Sequence, residues 1–294
     1  MGSYWKRVFT PCIREYYFNT PGKKKIGDLF KLVKGFVGPN SLIYPDIVCE
    51  LTTHCSLKCA HCNNLMSCYK EPYHVPAEEV IKDVENLLSR ADFCVKLTLL
   101  GGEPFVYPEL AKVVKAFQNH EKIYCLTFVT NGTVIPKDEL MDLIAASKNP
   151  KIVISDYGLK VQKVKELAEL CKKKGIHCEL GKATSWVDPG GTENRGKDIP
   201  QLAKEYNACF SARYCRTLLN GKLYTCARAA SLVDLGYMDG KHDSFDLRKE
   251  RTDKEFRKEL REFLTIEYAD ACNYCDHALK KVIPAGEQVE QKQS

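Results

Sequence analysis

Three cysteines within eight residues form the feature of the sequence best suited to chemistry. They stand in the run Cys55-Ser-Leu-Lys-Cys59-Ala-His61-Cys62. Three thiolates at this spacing can bind one face of a [4Fe–4S] cluster, but such a cluster has four irons and normally takes four protein ligands. One iron is then left without a protein ligand. The alternative is a zinc site with His54 or His61 as the fourth ligand.

A second group of cysteines follows far along the chain. It consists of Cys209, Cys215 and Cys226 and of the distant pair Cys272 and Cys275. The stretch between Tyr214 and Cys226 has strand-like flanks around Asn-Gly, which predicts a β-hairpin with a two-residue turn. Zinc is again the alternative to an iron–sulfur cluster for this group.

The other cysteines are single. The chain has fifteen cysteines in all, and its first residues lack the apolar core of a secretory signal. This predicts a cytoplasmic protein, where disulfides are rare and buried free cysteines are common. Cys68 is ambiguous. We expect six others to serve only for packing: Cys12, Cys49, Cys94, Cys125, Cys171 and Cys178.

Polar and glycine residues recur at the ends of apolar runs. Leu99-Leu-Gly101-Gly102-Glu103-Pro104 follows one run, Asn131-Gly132 follows the next, and Ser155-Asp156 closes a third. The carboxyl ends of parallel strands meet at one rim of a sheet, and that rim is where ligands bind. Each feature read separately is an ordinary turn, whereas together they predict a site.

Helical and strand patterns alternate between these features. Strands are predicted near 47–51, 95–100, 122–130, 151–156 and 177–181. Helices are predicted at 77–91, near 108–118 and 137–146, and from Val161 to a stop at Gly175. Such alternation implies right-handed crossovers and a parallel sheet that curls toward a barrel.

The motif C-x3-C-x2-C with a ring-bearing residue before its last cysteine resembles the signature of the radical S-adenosylmethionine (SAM) superfamily. The Gly-Gly-Glu-Pro sequence some forty residues later strengthens the resemblance, which covers about residues 45–200. It implies an α/β fold, a partial (β/α)6 TIM-like barrel, although a sixth strand is not obvious. It also implies that SAM binds the open iron of a [4Fe–4S] cluster held by Cys55, Cys59 and Cys62. The SAM contacts that it implies are His61, Gly101, Gly102, Glu103, Pro104, Asn131, Ser155 and Asp156.

The second cysteine group resembles the Twitch form of the SPASM auxiliary-cluster domain, whose pattern is C-x(9 to 15)-G-x4-C followed by a cysteine pair. Cys209 and Cys226 fit around Gly221, whereas Cys215 lies too close to it. The resemblance implies a small hairpin-plus-helix domain with a second, auxiliary [4Fe–4S] cluster. Its ligands would be Cys209, Cys226, Cys272 and Cys275, and Cys215 replacing Cys209 is the alternative.

The combined resemblance implies an oxidoreductase that abstracts hydrogen through a 5'-deoxyadenosyl radical. A sugar- or cyclitol-like substrate is favoured, because Twitch enzymes oxidise aminocyclitols and only about 44 residues precede the barrel. An external electron donor such as flavodoxin or ferredoxin is implied as well. The alternatives are an epimerase with Cys215 as hydrogen donor, a peptide-modifying enzyme, and a non-catalytic electron carrier. Glu193 and Arg195 are candidate substrate contacts in the loop between barrel and Twitch domain, and a solvated connection is the alternative.

Composition and charge set the remaining limits. The 294 residues carry a net charge of +6, and residues 1–44 account for all of it, with eight basic and two acidic side chains. We expect a basic extension at 1–44, a barrel at 45–200, an auxiliary domain at 201–281 and a flexible tail at 282–294. The extension reads as a solvated arm or as a surface for phosphate, an acidic partner or a membrane. Nucleic-acid binding is disfavoured, and no apolar run reaches the length of a transmembrane segment.

Overall fold

The structure is a computed structural model, and it describes residues 8–37 and 42–289. Within these ranges no helix combines the length and the apolar character needed to cross a membrane. The α-helices are α1 (Thr10–Arg14), α2 (Ile26–Val37), α3 (Ala77–Ser89), α4 (Leu110–Phe117), α5 (Asp138–Ala145), α6 (Val164–Lys174), α7 (Ile199–Ala208), α8 (Phe210–Tyr214), α9 (Ala227–Asp234) and α10 (Asp253–Leu264). The strands are β1 (Ile43–Tyr44), β2 (Ile47–Glu50), β3 (Phe93–Leu100), β4 (Ile123–Thr130), β5 (Lys151–Asp156), β6 (His177–Lys182), β7 (Ser185–Val187), β8 (Arg216–Leu219), β9 (Lys222–Tyr224), β10 (Ser244–Asp246) and β11 (Val282–Pro284).

A curled, mainly parallel sheet forms the centre of the fold. Its order is β10-β9-β8-β2-β3-β4-β5-β6, and β1 also pairs with β3. Strands β8 and β2 to β6 are parallel, while β9 and β10 continue the sheet in antiparallel fashion. The five predicted strands and the α/β class are therefore confirmed. The missing sixth parallel strand is β8, which lies beside β2 and not beside β6.

This position of β8 changes how the hairpin is understood. Strands β8 and β9 form the hairpin predicted around Asn220-Gly221, with Leu219 opposite Lys222. Because β8 also pairs with β2 in register from Ile47 to Cys49, the hairpin extends the barrel sheet itself. The four residues of β8 were too short a run for the sequence pattern to identify as a barrel strand.

Helices α3 to α6 cover the outer face of the sheet. Alternate strand residues such as Cys49, Leu99 and Phe128 join the helix side chains in one buried core. Helix α6 ends where Gly175 adopts a left-handed conformation with φ 70°, as predicted, but it begins only at Val164, so Val161 is exposed outside it. The single cysteines expected to pack do so, with Cys178 half-buried against the core, and Cys68 packs there too.

The amino-terminal segment is not a solvated arm, so that expectation is wrong for the residues the structure describes. Cys12 and Tyr16 are fully buried. The Glu15 carboxylate forms an ion pair of 3.1 Å with the Lys96 ammonium on β3. Lys96 also lies 3.1 Å from Asp46. These contacts place the segment at the amino end of the strands, where its apolar side chains are buried away from water. Lys6 and Arg7 lie outside the described residues.

The expected flexible tail is also wrong as far as Val289. Strand β11 pairs with β7, with Ile283 opposite Trp186. Beyond it, the Ala60 N–H donates to the Glu287 carbonyl at 2.8 Å, and the Val289 N–H donates to the Lys58 carbonyl at 2.7 Å. These backbone bonds fix the segment against the first cysteine loop. Residues 290–294 lie outside the described residues.

Candidate functional site

The first cysteine loop is fixed by the two glycines that follow β3. The Gly102 N–H donates to the Thr52 carbonyl at 2.7 Å, and the Glu103 N–H donates to the His54 carbonyl at 2.9 Å. A Cβ atom on Gly102 would lie 2.2 Å from the His54 carbonyl oxygen. Only glycine permits this approach of the two backbones. The Gly-Gly pair therefore positions the loop that carries Cys55.

The Glu103 side chain lies below this junction and is fully buried. Its oxygens accept hydrogen bonds from the Thr130 hydroxyl at 2.8 Å, the Asn131 N–H at 2.8 Å and the Phe105 N–H at 3.1 Å. Burial raises the pKa of Glu103 to about 7, although these donors act in the opposite direction. Neither Glu103 nor Pro104 lines the cavity described next, and Glu103 acts on the site by joining the ends of β3 and β4.

A cavity of about 350 Å³ opens at the carboxyl rim of the strands, within the size range of small-molecule sites. The residues around it come from the cysteine loop, the ends of β3 and β4, and the segment near β7. Six that matter here are Cys55, Cys59, Cys62, Gly101, Gly102 and Asn131. The rim predicted from the sequence thus exists, and the three thiols lie on its wall.

The three thiols suit a cluster that leaves one iron open. Burial is the main cause that raises the pKa of Cys55 to about 12, and Glu103 and the neighbouring Cys62 and Cys59 thiols act in the same direction. Burial raises the pKa of Cys59 and of Cys62 as well. Iron must therefore replace the thiol protons when it binds. Of the described residues, no three His, Cys, Asp or Glu side chains converge on a single-ion position, but the thiolates of a cubane each bind a different iron.

The two histidines considered as zinc ligands have different surroundings. The His54 ring stacks on the His74 ring with centroids 4.3 Å apart. The His61 Nδ1 atom lies 3.5 Å from an Asp188 carboxylate oxygen, while the ring remains on the cavity wall. His61 is therefore placed to contact a ligand in the cavity, as the sequence predicts.

Among the other predicted cofactor contacts, Asn131 reaches the cavity and Ser155 and Asp156 do not. The Asn131 amide donates to the Cys55 sulfur at 3.6 Å and to the Ser56 hydroxyl at 3.0 Å. The carboxylate of Asp156 accepts the Gly158 N–H at 3.0 Å. Instead the next residue, Tyr157, lines the cavity. The strand end was thus predicted correctly, but the side chain that turns inward was not.

Sequence reasoning missed two aromatic residues on the wall of this cavity and one amide that contacts the Cys59 thiol. Trp186 lies edge-on to Tyr157, with ring centroids 5.2 Å apart, and both rings line the cavity. The Gln288 amide donates to the Cys59 sulfur at 3.4 Å, and its carbonyl accepts the Lys58 N–H at 2.8 Å. No local motif marks these residues. Trp186 lies on β7 and Gln288 follows β11, two strands that pair only in the folded chain, and Tyr157 follows β5.

The four cysteines assigned to the second cluster line a smaller cavity of about 40 Å³: Cys209, Cys226, Cys272 and Cys275. This volume exceeds the roughly 10–15 Å³ that one water molecule needs. Burial is the main cause that raises the pKa of Cys226 to about 12, and the nearby Cys209 and Cys275 thiols act in the same direction. The four side chains fit a closed, four-thiolate cluster site.

Two of these thiols accept hydrogen bonds at helix starts. Cys226 caps α9, and its sulfur accepts the Ala229 N–H at 3.4 Å. Burial raises the pKa of Cys209, but hydrogen bonds from His277 and from the Ala212 N–H outweigh it, so the net shift is downward. Backbone donors at a helix start favour the thiolate form that binds iron.

Cys215 lies apart from these four thiols. Burial raises its pKa, and the charges close to it are those of Asp46, Lys96 and Glu15. These groups belong to the amino end of the strands, opposite the rim with the large cavity. The placement suits neither cluster ligation nor hydrogen donation at the barrel mouth.

Glu193 and Arg195 do not line the large cavity. An Arg195 Nη2 atom lies 2.6 Å from the carboxylate of Asp276, next to the Cys275 ligand position. The Glu193 side chain is exposed, with 79% of its surface accessible. The loop therefore serves to brace the second cysteine group, and substrate contact by these two residues finds no support.

The two cavities share part of their lining. Asn63, which follows Cys62, and His277, which follows Cys275 by two positions, border both cavities. An outer groove of about 550 Å³ also reaches Cys209, Cys272 and Cys275. The four-cysteine cavity thus shares lining residues with both the large cavity and this groove.

Comparisons with known proteins agree with this architecture. The family model of the radical SAM superfamily matches residues 49–203. No curated protein sequence matches the chain.

Solved structures give the fold alone, because their identities are low. The crystal structure of BtrN with AdoMet and 2-DOIA is 13% identical, with 80% of this chain and 94% of that chain covered and a TM-score of 0.50. Native anSMEcpe with bound AdoMet is 14% identical, with 79% and 82% covered and a TM-score of 0.51. The crystal structure of Streptococcus suis SuiB is 19% identical, with a TM-score of 0.39. That match covers 56% of this chain and only 40% of the SuiB chain.

Proposed function

Because the chain belongs to the radical SAM superfamily, whose members use a [4Fe–4S] cluster and SAM, we propose that it dehydrogenates a small polar alcohol. Oxidation of an alcohol to a carbonyl removes two electrons and two protons from the substrate. One electron and one proton leave together as a hydrogen atom from carbon. The second electron and the hydroxyl proton must then leave by another route. The four-cysteine cavity is the proposed place for the second electron.

The large cavity would hold the first cluster and SAM through residues that the structure places on its wall. Cys55, Cys59 and Cys62 would bind three irons, and His61 and Asn131 would orient the nucleotide. When bound, the two groups together supply a carbon radical that removes hydrogen from an unactivated C–H bond. The aromatic rings of Tyr157 and Trp186 cover the same cavity and would limit the access of water to it.

The observation that carries the proposal is the wall common to both cavities. A substrate that enters the large cavity can contact Asn63 and His277, whose other faces border the four cysteines. A cluster bound by Cys209, Cys226, Cys272 and Cys275 would then stand close enough to accept the remaining electron. A redox enzyme needs such proximity between donor and acceptor, whereas an enzyme that merely rearranges a substrate radical does not.

Epimerisation is a weaker alternative, because it needs a hydrogen donor beside the substrate radical. The donor considered from the sequence was Cys215, and its neighbours are Asp46 and Lys96 at the opposite end of the barrel. The polar substrate class is supported by polar side chains on the cavity wall, such as Asn64 and His61. A sugar- or cyclitol-like alcohol fits this wall, and an external one-electron donor would reduce the first cluster.

Product analysis tests the proposal. The reconstituted enzyme is incubated anaerobically with SAM, reductant and a panel of sugars and cyclitols in deuterated water. We expect a product that has lost two hydrogen atoms, carries no solvent deuterium on carbon, and forms with one 5'-deoxyadenosine per turnover. A product of unchanged mass apart from one incorporated deuterium would show epimerisation and overturn the proposal.

A further inference from the structure

The side chain of Arg228 is buried at the four-cysteine cavity with one nitrogen unpaired. The residue is 2% exposed. Its Nε donates to the Tyr274 carbonyl at 2.9 Å, and its Nη2 donates to the carbonyls of Gly190, at 2.8 Å, and Gly191. Its Nη1 is buried and has no hydrogen-bond partner within the part of the chain that the structure describes. A buried guanidinium N–H without an acceptor is costly, so an acceptor is expected there.

The surroundings of Nη1 limit what that acceptor can be. Arg228 lines the cavity of about 40 Å³ together with the four cysteines. None of the described residues lining it is Asp or Glu. Four of the residues that line this cavity with Arg228 are cysteines, so the charged acceptor that the lining offers to Nη1 is sulfur.

Three of the Arg228 contacts are with backbone carbonyls, and they fix the plane of the guanidinium. The carbonyls of Gly190 and Gly191 belong to the loop after β7, and that of Tyr274 belongs to the turn between Cys272 and Cys275. A side chain fixed in this way does not need to reorganise when a charged group occupies the cavity. The guanidinium of arginine has five N–H donors in a fixed plane, so donors at Nη1 remain after these three acceptors are bound, whereas a lysine ammonium has only three donors.

We propose that Arg228 donates its Nη1–H to sulfur of the auxiliary cluster and raises the reduction potential of that cluster. This inference rests on the proposed function, because it requires a cluster on Cys209, Cys226, Cys272 and Cys275. A cluster with four thiolate ligands is negatively charged, and it gains one more negative charge on reduction. A buried cation and an N–H donor stabilise the reduced form more than the oxidised form. Arg228 would thus make the cluster a better acceptor for the substrate electron.

Redox titration followed by electron paramagnetic resonance tests this role. The full chain with Cys55→Ala, Cys59→Ala and Cys62→Ala retains only the auxiliary cluster, so one signal is titrated. In this background we expect Arg228→Gln to lower the ratio of reduced to oxidised cluster at least tenfold at a fixed ambient potential. For a one-electron couple this corresponds to a shift of about 59 mV to a more negative midpoint.

Lys204→Gln is the matched control. Lys204 is an exposed cation on the outer groove that reaches Cys209, Cys272 and Cys275. Its removal changes the charge by the same amount, but water and salt screen it, so we expect less than a threefold change in the ratio. An Arg228→Gln protein that retains four irons and titrates like the Lys204→Gln protein would overturn the inference.

A second measurement tests the role of Arg228 if the Arg228→Gln protein does not bind the auxiliary cluster. The protein with Arg228 intact is labelled with [15N]arginine, its auxiliary cluster is reduced, and pulsed electron paramagnetic resonance is recorded. We expect a 15N coupling to the cluster, and its absence would overturn the inference. Iron content separates the two proposals. About four irons in the unsubstituted chain would show that there is no auxiliary cluster, which would overturn the proposed function as well. About eight irons without a 15N coupling would reject only the role of Arg228.

Discussion

The amide of Gln288 donates a hydrogen bond to the sulfur of Cys59 at 3.4 Å, although 229 positions separate the two residues. The same segment receives and donates backbone bonds at Lys58 and Ala60. A part of the chain remote from the cysteine motif therefore helps to hold its middle ligand. A donor to a ligand sulfur also fixes the orientation of that ligand and adjusts the metal group that it binds.

Removal of residues 286–294 should loosen the first cysteine loop. We expect the truncated protein to retain about four of about eight irons after gel filtration, because the auxiliary site keeps its ligands. The measurement is iron and sulfide content per chain after anaerobic reconstitution. Truncation after Val289 is the control, since it preserves the contacts of Glu287, Gln288 and Val289. Equal iron content in the two truncated proteins would contradict this role for the segment.

Gly102→Ala should disable the first site with little effect on the second. A Cβ atom there would lie 2.2 Å from the His54 carbonyl oxygen and 2.8 Å from the Cys55 Cβ, so the cysteine loop must move. We expect loss of at least 90% of reductive SAM cleavage, measured as 5'-deoxyadenosine, while four irons remain. Gly27→Ala is the control, because a Cβ on Gly27 meets no atom within 4 Å. Comparable losses in both variants would point to general misfolding and not to displacement of the loop.

Cys209→Ala and Cys215→Ala should differ in iron content. Cys209 lines the four-cysteine cavity, whereas the charged neighbours of Cys215 are at the amino end of the strands. We expect Cys209→Ala to bind about four irons and Cys215→Ala to bind about eight. The opposite outcome would make Cys215 the ligand and would reject the cysteine assignment made here.

The carboxyl group of Glu50 should make stability depend on pH. Burial and the nearby Asp234 charge raise its pKa to about 8 from an ordinary value of 4.5. The folded protein therefore binds this proton more tightly than the unfolded chain does. The contribution to stability is complete below pH 4.5 and is lost as the pH rises through 8. The upper limit of the loss is about 5 kcal/mol for this difference in pKa.

Glu50→Gln tests this effect, because glutamine keeps the acceptor for the Asn64 amide and remains uncharged. We expect its free energy of unfolding to exceed that of the unsubstituted protein at pH 8.5 and to approach it at pH 5. Denaturant unfolding of the metal-free proteins gives the comparison. Glu71→Gln at an exposed position should follow the unsubstituted protein at both pH values. A constant difference between Glu50→Gln and the unsubstituted protein would show that Glu50 does not titrate in this range.

The sequence predicted the parts of the fold that local patterns determine. Apolar periodicity located β2 to β6 and α3 to α6, and the glycine at 175 predicted where α6 ends. It could not identify β8 as a barrel strand, because only its pairing with β2 distinguishes a barrel strand from one arm of an isolated hairpin. Long-range pairing leaves no periodic signal in a run of four residues.

The functional site was likewise predictable from the sequence only where its residues interact within short segments. Spacing identified Cys55, Cys59 and Cys62 and the glycines that contact their loop, since these residues interact within short segments. Tyr157 reaches the cavity through the assembled sheet, and Gln288 reaches the Cys59 sulfur through the segment that follows β11. Charge alone suggested a solvated amino-terminal arm, yet the apolar residues between its lysines, such as Tyr16, are buried. A net charge does not report which side of a helix is covered.

The most direct test of the central claim is a SAM titration of the first cluster by electron paramagnetic resonance. The full chain with Cys209→Ala and Cys272→Ala isolates the cluster on Cys55, Cys59 and Cys62. We expect the signal of the reduced cluster to change saturably with SAM, whereas a protein that also carries Gly102→Ala should bind almost no iron and give no cluster signal. A signal that SAM leaves unchanged while four irons are bound would mean that no iron is open to it, and it would contradict the account.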